Sequence, residues 1–269
     1  MTLFAVDTSR WQGAISGAKL KGRGFNALCA RCVVGQAERD SLYLMAKEQA
    51  EDNGLIFGAY GVSWPAGRNA RADADNFVSR MSPSARPAMP RFLVGDHELG
   101  LHVSTYGHHL LSGLELVEYG IEYNAEVERQ TGMACWFYTA AWYWNSSKLN
   151  PFIDRGETAF KVFPAHYPFD PRQISGAPPL YSPDVLDPAQ HGTFVPLVPA
   201  PWKPQDMVAL QWTSKGKGAA GGFCASTFMD RDVLFADLAG TVPPAPPTLE
   251  ARVVRLETEA RAHGWTLAQ

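Results

Sequence analysis

The chain has 269 residues, 46% of them apolar, which is enough for one large core and close to the roughly 250 residues usual for a single α/β barrel. A net charge of −3 argues against nucleic acid as a partner, because phosphate binding brings a basic excess or a basic stripe and the sequence has neither. Residues 1–7, Met-Thr-Leu-Phe-Ala-Val-Asp, run straight into a strand-like stretch with no charged leader or long apolar segment, so no signal or membrane span is expected.

In chain order, the apolar runs predict strands at Leu3–Asp7, Ala27–Val34, Leu55–Tyr60, Arg91–Gly95, Ala134–Tyr138, Ala159–Ala165 and Met207–Trp212, with a short one at Thr227–Met229. Between them, 3.6-residue periodicity predicts helices over Ser41–Asn53, stopped by Gly54, over Ala70–Met81, and over residues 114–130, stopped by Gly132. Alternating strands and helices of this kind fold as a βα barrel. The last third is rich in proline (Pro164, Pro168, Pro171, Pro178, Pro179, Pro183, Pro188), so the final units are expected to be short or irregular. A stiff Pro-rich linker follows at residues 240–248. Beyond it, residues 249–269 carry Leu249, Val253, Leu256 and Ala260 at helical spacing, a segment that either docks on the barrel or self-associates. The expected organisation is thus a barrel over 1–239, a linker over 240–248 and a short helix over 249–269.

Phe92-Leu93-Val94-Gly95-Asp96-His97-Glu98-Leu99-Gly100 is the most informative stretch. Side chains of an extended strand alternate, so Asp96 and Glu98 point the same way, at the C-terminal mouth of a strand that ends near Gly95. Two carboxylates that close resist joint ionisation, and one holds its proton while the other stays charged, as acid-catalysed glycoside hydrolysis requires. The alternative is a commonplace acidic pair at a strand end. Of the four cysteines, Cys29 and Cys32 form C-x-x-C, but inside a strand an offset of three sends them to opposite faces, and they read as buried thiols rather than a metal or redox site. His102, His108 and His109 read as a solvated loop rather than a metal centre.

Four patches in order, Asp7-Thr8-Ser9-Arg10-Trp11-Gln12-Gly13, Gly54 to Tyr60, the D-x-E at 96 and 98, and Met229-Asp230, resemble the family 25 glycoside hydrolases, the muramidases that bacteria and bacteriophages use to cut peptidoglycan. The resemblance spans roughly residues 3–236. It implies an irregular TIM-like α/β barrel with fewer helices than strands, cleavage of the β-1,4 bond between N-acetylmuramic acid and N-acetylglucosamine, and no metal or cofactor. By the same resemblance Glu98 is the general acid/base, Asp96 its partner, and Asp7 and Asp230 further acids of the cleft. Tyr60, Trp64, Tyr138, Trp142, Tyr167 and Trp212 are candidate sugar platforms, with core packing as the alternative for each. The implied partner is the peptidoglycan glycan strand. The implied setting is a protein made in the host cytoplasm and released to the wall by another route such as a holin, or carried on a phage particle, with self-association or virion attachment through the terminal helix.

Departures from the pattern are Arg31-Cys32-Val33-Val34-Gly35-Gln36, which lacks an acid usual after the second strand, Gly61 where histidine is frequent, Gly95 where a bulky residue is usual, and Leu210-Gln211-Trp212 for W-Q-Y. Two rivals stand beside the muramidase reading. Chitinase-like family 18 enzymes also end a strand in D-x-E, but they need further acids where this chain has Arg91 and Val94. The other rival is a non-catalytic carbohydrate-binding or structural module of a phage particle.

Overall fold

The computed structural model describes residues 3–36, 38–64, 69–83, 87–97, 113–140, 161–165, 206–217, 224–226 and 228–234. Nine strands lie in one sheet: β1 (Leu3–Thr8), β2 (Ala27–Val34), β3 (Glu38–Arg39), β4 (Ile56–Val62), β5 (Phe92–Asp96), β6 (Cys135–Ala140), β7 (Val162–Ala165), β8 (Ala209–Lys217) and β9 (Phe228–Leu234). Their order is β1-β9-β8-β7-β6-β5-β4-β2-β3, and β2 also pairs in parallel with β1, so eight of them close a ring. From β1 through β2, β4, β5, β6, β7 and β8 neighbours run parallel, while β9 is antiparallel to both β8 and β1. The βα barrel expected from alternating elements is therefore present, closed by one reversed strand.

Four α-helices are described, α1 (Gly17–Gly22), α2 (Tyr43–Asp52), α3 (Ala70–Met81) and α4 (Gly113–Thr131), besides a 3-10 turn at Arg10–Gln12. The two glycine stops behave as predicted. Gly54 and Gly132, just past α2 and α4, take φ of +63° and +67°, a left-handed geometry that glycine adopts without a Cβ penalty. Helix α2 packs on β2 and β4, and α3 and α4 pack on each other and on the sheet. Among the described residues no helix is long and apolar enough to cross a membrane.

Alternation along the strands separates two packing layers. Outside the barrel, a Cβ on Gly61 would lie 2.2 Å from the Tyr123 hydroxyl, and one on Gly95 would lie 2.2 Å from Asn124 Oδ1, so both positions abut α4. The neighbouring residues Tyr60, Val62, Val94 and Asp96 therefore face the interior. There Phe92 stacks on Trp136 at 4.8 Å between centroids, and a Cβ on Gly58 would meet Phe92 at 2.2 Å, so aromatic rings close the barrel floor. Cys29, Cys32 and Cys135 are buried free thiols, as the C-x-x-C reading expects for the first two. The Pro-rich linker, the terminal helix and the histidine-rich segment lie outside the described residues.

Candidate active site

Strand register brings carboxylates from three strands to one mouth. Asp7, next to last in β1, sits directly opposite Asp230 of β9, and Asp96, the last residue of β5, sits opposite Tyr138 of β6. Asp96 is buried, 7% exposed, at the strand end where it was predicted. Its backbone is pinned: the Asp96 carbonyl accepts from Ser63 N at 2.9 Å and from Ser63 Oγ at 3.1 Å, and His97 N donates to the Tyr138 carbonyl at 3.0 Å. Glu98, two residues further on, lies outside the described residues, as do Trp142 and Tyr167.

A hydrogen-bond chain crosses the mouth. The Tyr138 hydroxyl donates to Gln211 Oε1 at 3.0 Å, and Gln211 Nε2 donates to Asp7 Oδ2 at 2.8 Å. Asp7 is also hydrogen-bonded to Asp230. Burial raises the pKa of Asp7 to about 6, against the lowering effect of these two bonds. Asp232, two residues past Asp230 and therefore on the same face of β9, is 1% exposed and lies opposite Ala5 and Gln211, one layer deeper. Asp7, Asp232 and Asp96 all act on the Cys29 thiol, which burial first and their charges second push well above its usual range. The interior thus concentrates four carboxylates, with the Tyr60 hydroxyl held protonated by burial and by the charges of Asp7, Asp96 and Asp230, opposed by Arg31.

The aromatic candidates separate by environment. Tyr60 is half-buried beside the acids; Tyr138 is buried, edge-on to Phe163 at 5.2 Å, with its hydroxyl committed to Gln211. Trp64 is half-buried just past β4, held through its backbone: its N–H donates to Asp73 Oδ2 at 2.7 Å and its carbonyl accepts from the Tyr119 hydroxyl at 3.2 Å. Trp212 lies in β8.

Sequence reasoning passed over several residues that build this site. Gln211 and Asp232 are the main ones, and for Asp232 the signal was present: the alternation that pairs Asp96 with Glu98 also pairs Asp230 with Asp232. His97, read only as the spacer of D-x-E, faces outward and is 2% exposed; its Nδ1 meets Ser63 Oγ at 3.0 Å and its Nε2 meets Asn124 Oδ1 at 2.9 Å. Burial lowers its pKa to about 4, so it is neutral. Asn124 in turn donates to the Cys135 carbonyl at 3.0 Å. Where an acid is missing after β2, Arg31 is bound instead by Asp40, Nε and Nη2 each 2.9 Å from Oδ2. Asp40 also caps the turn after β1 by accepting from Arg10 N at 2.9 Å.

Carboxylates at a barrel mouth, with Asp7 and Asp96 at the C-terminal ends of their strands and Asp7 keeping its proton up to about 6, can supply a proton and stabilise a cationic transition state. Among the described residues no cluster of three or more metal-ligating side chains is present. A family model for glycosyl hydrolases family 25 matches residues 6–217, a span that includes Asp7, Asp96, Glu98 and Gln211 and stops short of Asp230. Lysozyme M1 of Streptomyces globisporus is 26% identical over 143 residues, 52% of this chain and 47% of that protein, so the match spans about half the length of this relative. The lysozyme of Streptomyces coelicolor superposes with a TM-score of 0.65 at 21% identity, covering 91% of this chain and 97% of that one. The catalytic domain of endolysin ply40, from bacteriophage P40 of Listeria monocytogenes, superposes with a TM-score of 0.59 at 19% identity, covering 90% and 98%. These two structures share the fold.

Proposed function

Because the chain belongs to family 25 of the glycosyl hydrolases, we propose that it is a muramidase that cleaves the β-1,4 bond between N-acetylmuramic acid and N-acetylglucosamine in peptidoglycan. The observation that carries this reading is the convergence of Asp7, Asp96 and Asp230 at one barrel mouth, inside the family match or paired to it across β1 and β9. Glu98 is the proton donor to the leaving oxygen. Asp96, whose carboxylate faces the same interior, holds the substrate's acetamido group or the developing positive charge. Asp7 and Asp230 line the cleft and share the acid load of the site. Tyr60 and Trp64 provide apolar surface at its edge.

The reading extends to a bacteriophage setting: a protein made in the host cytoplasm that reaches the wall by release or on a particle, with residues 249–269 as its self-association or attachment element. Digestion of purified peptidoglycan, followed by identification of the new reducing-end sugar, tests the activity. Muramic acid at the new ends is the expected result. Glucosamine ends, released peptides, or binding without new ends would overturn it, the last in favour of a carbohydrate-binding module.

A further inference from the structure

Gln211 bridges two groups with opposite needs. A neutral tyrosine hydroxyl offers one proton, and a carboxylate offers only lone pairs. A primary amide can satisfy both at once, but only in one orientation: Oε1 toward the Tyr138 hydroxyl at 3.0 Å and Nε2 toward Asp7 Oδ2 at 2.8 Å. Were the amide reversed, its oxygen would face Asp7 and demand a proton there. Amide orientation and the protonation of Asp7 Oδ2 are therefore one variable.

We propose that Gln211 is a positioning residue that sets the direction of this hydrogen-bond chain, keeping Asp7 Oδ2 an acceptor and confining the proton of the acid pair to the edge between Asp7 and Asp230. Across the sheet Asp7 faces Asp230 and, one layer deeper, Asp232, both from β9. Its charge acts on the protonated Cys29 thiol of β2 and on the Tyr60 hydroxyl of β4, the same two groups on which Asp96 of β5 acts. Arg31, the cation whose charge reaches Tyr60, is bound by Asp40 at 2.9 Å and lies 3.7 Å from Glu38. Buried and hydrogen-bonded to Asp230, Asp7 keeps its proton up to about 6. Without a fixed donor on Oδ2, that proton would be free to sit on either oxygen of Asp7, including the one that closes the chain toward Tyr138. With Gln211 held by Tyr138, one placement survives. The fold keeps the geometry because Gln211 is buried and its strand is fixed on both sides, opposite Ala165 of β7 and Asp232 of β9. The consequence for the reaction, which rests on the muramidase reading, is that one face of Asp7 stays negative toward the cleft while the pair still stores a proton.

The test is a carboxyl-detected NMR titration of Asp7 in the full chain, beside Gln211→Leu and Tyr138→Phe, with pH–rate profiles on solubilised wall glycan. Removing the amide donor in Gln211→Leu should raise the Asp7 midpoint by about one pH unit. The acid limb of the rate profile should move the same way. Tyr138→Phe, which leaves the donor but frees the amide to turn, should raise the midpoint by less. In the parent protein the Gln211 side-chain amide resonances should shift with the Asp7 midpoint, a measurement that survives even if a variant fails to fold. An Asp7 midpoint unmoved in a folded Gln211→Leu variant, or amide resonances indifferent to the Asp7 titration, would overturn the proposal. The titrations need no substrate: the predicted shifts in a protein that cuts no glycan would sink the muramidase reading and leave the role of Gln211 standing.

Discussion

The two faces of β5 solve opposite problems with the same five residues of backbone. Outward, Gly95 has no side chain, and the space it leaves is filled by the His97–Asn124 pair, whose ring nitrogens and amide are bonded at 2.9–3.0 Å and whose histidine is neutral. Inward, Val94 and Asp96 face a barrel whose mouth gathers carboxylates, where burial raises the proton affinity of Asp7, and burial together with the charges of the acids raises that of the Cys29 thiol. At Gly95 the outer layer buries His97 and Asn124 by pairing them with each other, with Ser63 and with the Cys135 carbonyl, which fixes structure. The inner mouth leaves charge concentrated, which costs stability and suits catalysis. A strand that alternates faces can hold both within two residues.

Changes at the inner face should therefore strike activity and changes at the outer face should strike stability. The largest effect is expected for Glu98→Gln, which removes the proposed proton donor: a fall in wall cleavage of about 10²–10⁴ or more, with an unchanged thermal unfolding midpoint. Asp96→Asn should cost less activity, also without unfolding. Near-parental lysis by Glu98→Gln would overturn the assignment of Glu98 as the proton donor.

On the outer side, Gly95→Ala would drive a methyl group to 2.2 Å from Asn124 Oδ1 and 2.7 Å from His97 Nε2. Overpacking plus a lost buried hydrogen bond predicts a loss on the order of 3–4 kcal/mol in urea unfolding. Next comes His97, whose folded pKa is lowered to about 4. The unfolded chain binds its proton near pH 6.5 while the folded one refuses it, so stability should fall as pH drops from about 6.5 to about 4 and lose no more from this group below that. The span is worth about 3 kcal/mol, and His97→Gln should flatten this slope in unfolding free energies measured across pH.

The smallest effect has the opposite sign. Asp7 keeps its proton up to about 6 in the folded state, above its unfolded value, so its ionisation costs stability as pH rises from about 4 to about 6. Asp7→Asn should therefore stabilise the protein at pH 7, by about 1 kcal/mol after screening of a half-buried group, and not at pH 4. A gain equal at both values would show that the charge of Asp7 is not what strains the mouth.

These contrasts also explain what the sequence made legible. Strands β2, β4, β5 and β6 were readable because their apolar runs are buried on both faces. Strand β9 was readable only in part: Thr227–Met229 was expected, whereas the strand is Phe228–Leu234 and carries Asp230-Arg231-Asp232. A polar triplet lacks the usual strand signature, yet here its carboxylates point into the barrel, so function overrides propensity. The two-residue β3 and the one-and-a-half-turn α1 are too short for periodicity to register. At the site, Asp7 and Asp96 were found because each stands at a strand end, and Asp230 through the family resemblance. Gln211 was not, because an amide announces no chemistry until its two partners, 73 and 204 residues away in sequence, are seen in space. Two departures from the family pattern, Gly61 and Gly95, proved to be one feature: both clear space for α4.

The most direct test of the central claim is to map a bound glycan. With the folded Glu98→Gln protein and a soluble peptidoglycan fragment, backbone amide shifts should change at the ends of β1, β4, β5, β6, β8 and β9, around Asp7, Tyr60, Asp96, Tyr138, Gln211 and Asp230. The outward surfaces of α2, α3 and α4 should stay silent. Shifts confined to those helices, or none at saturating fragment, would contradict an active site at the barrel mouth.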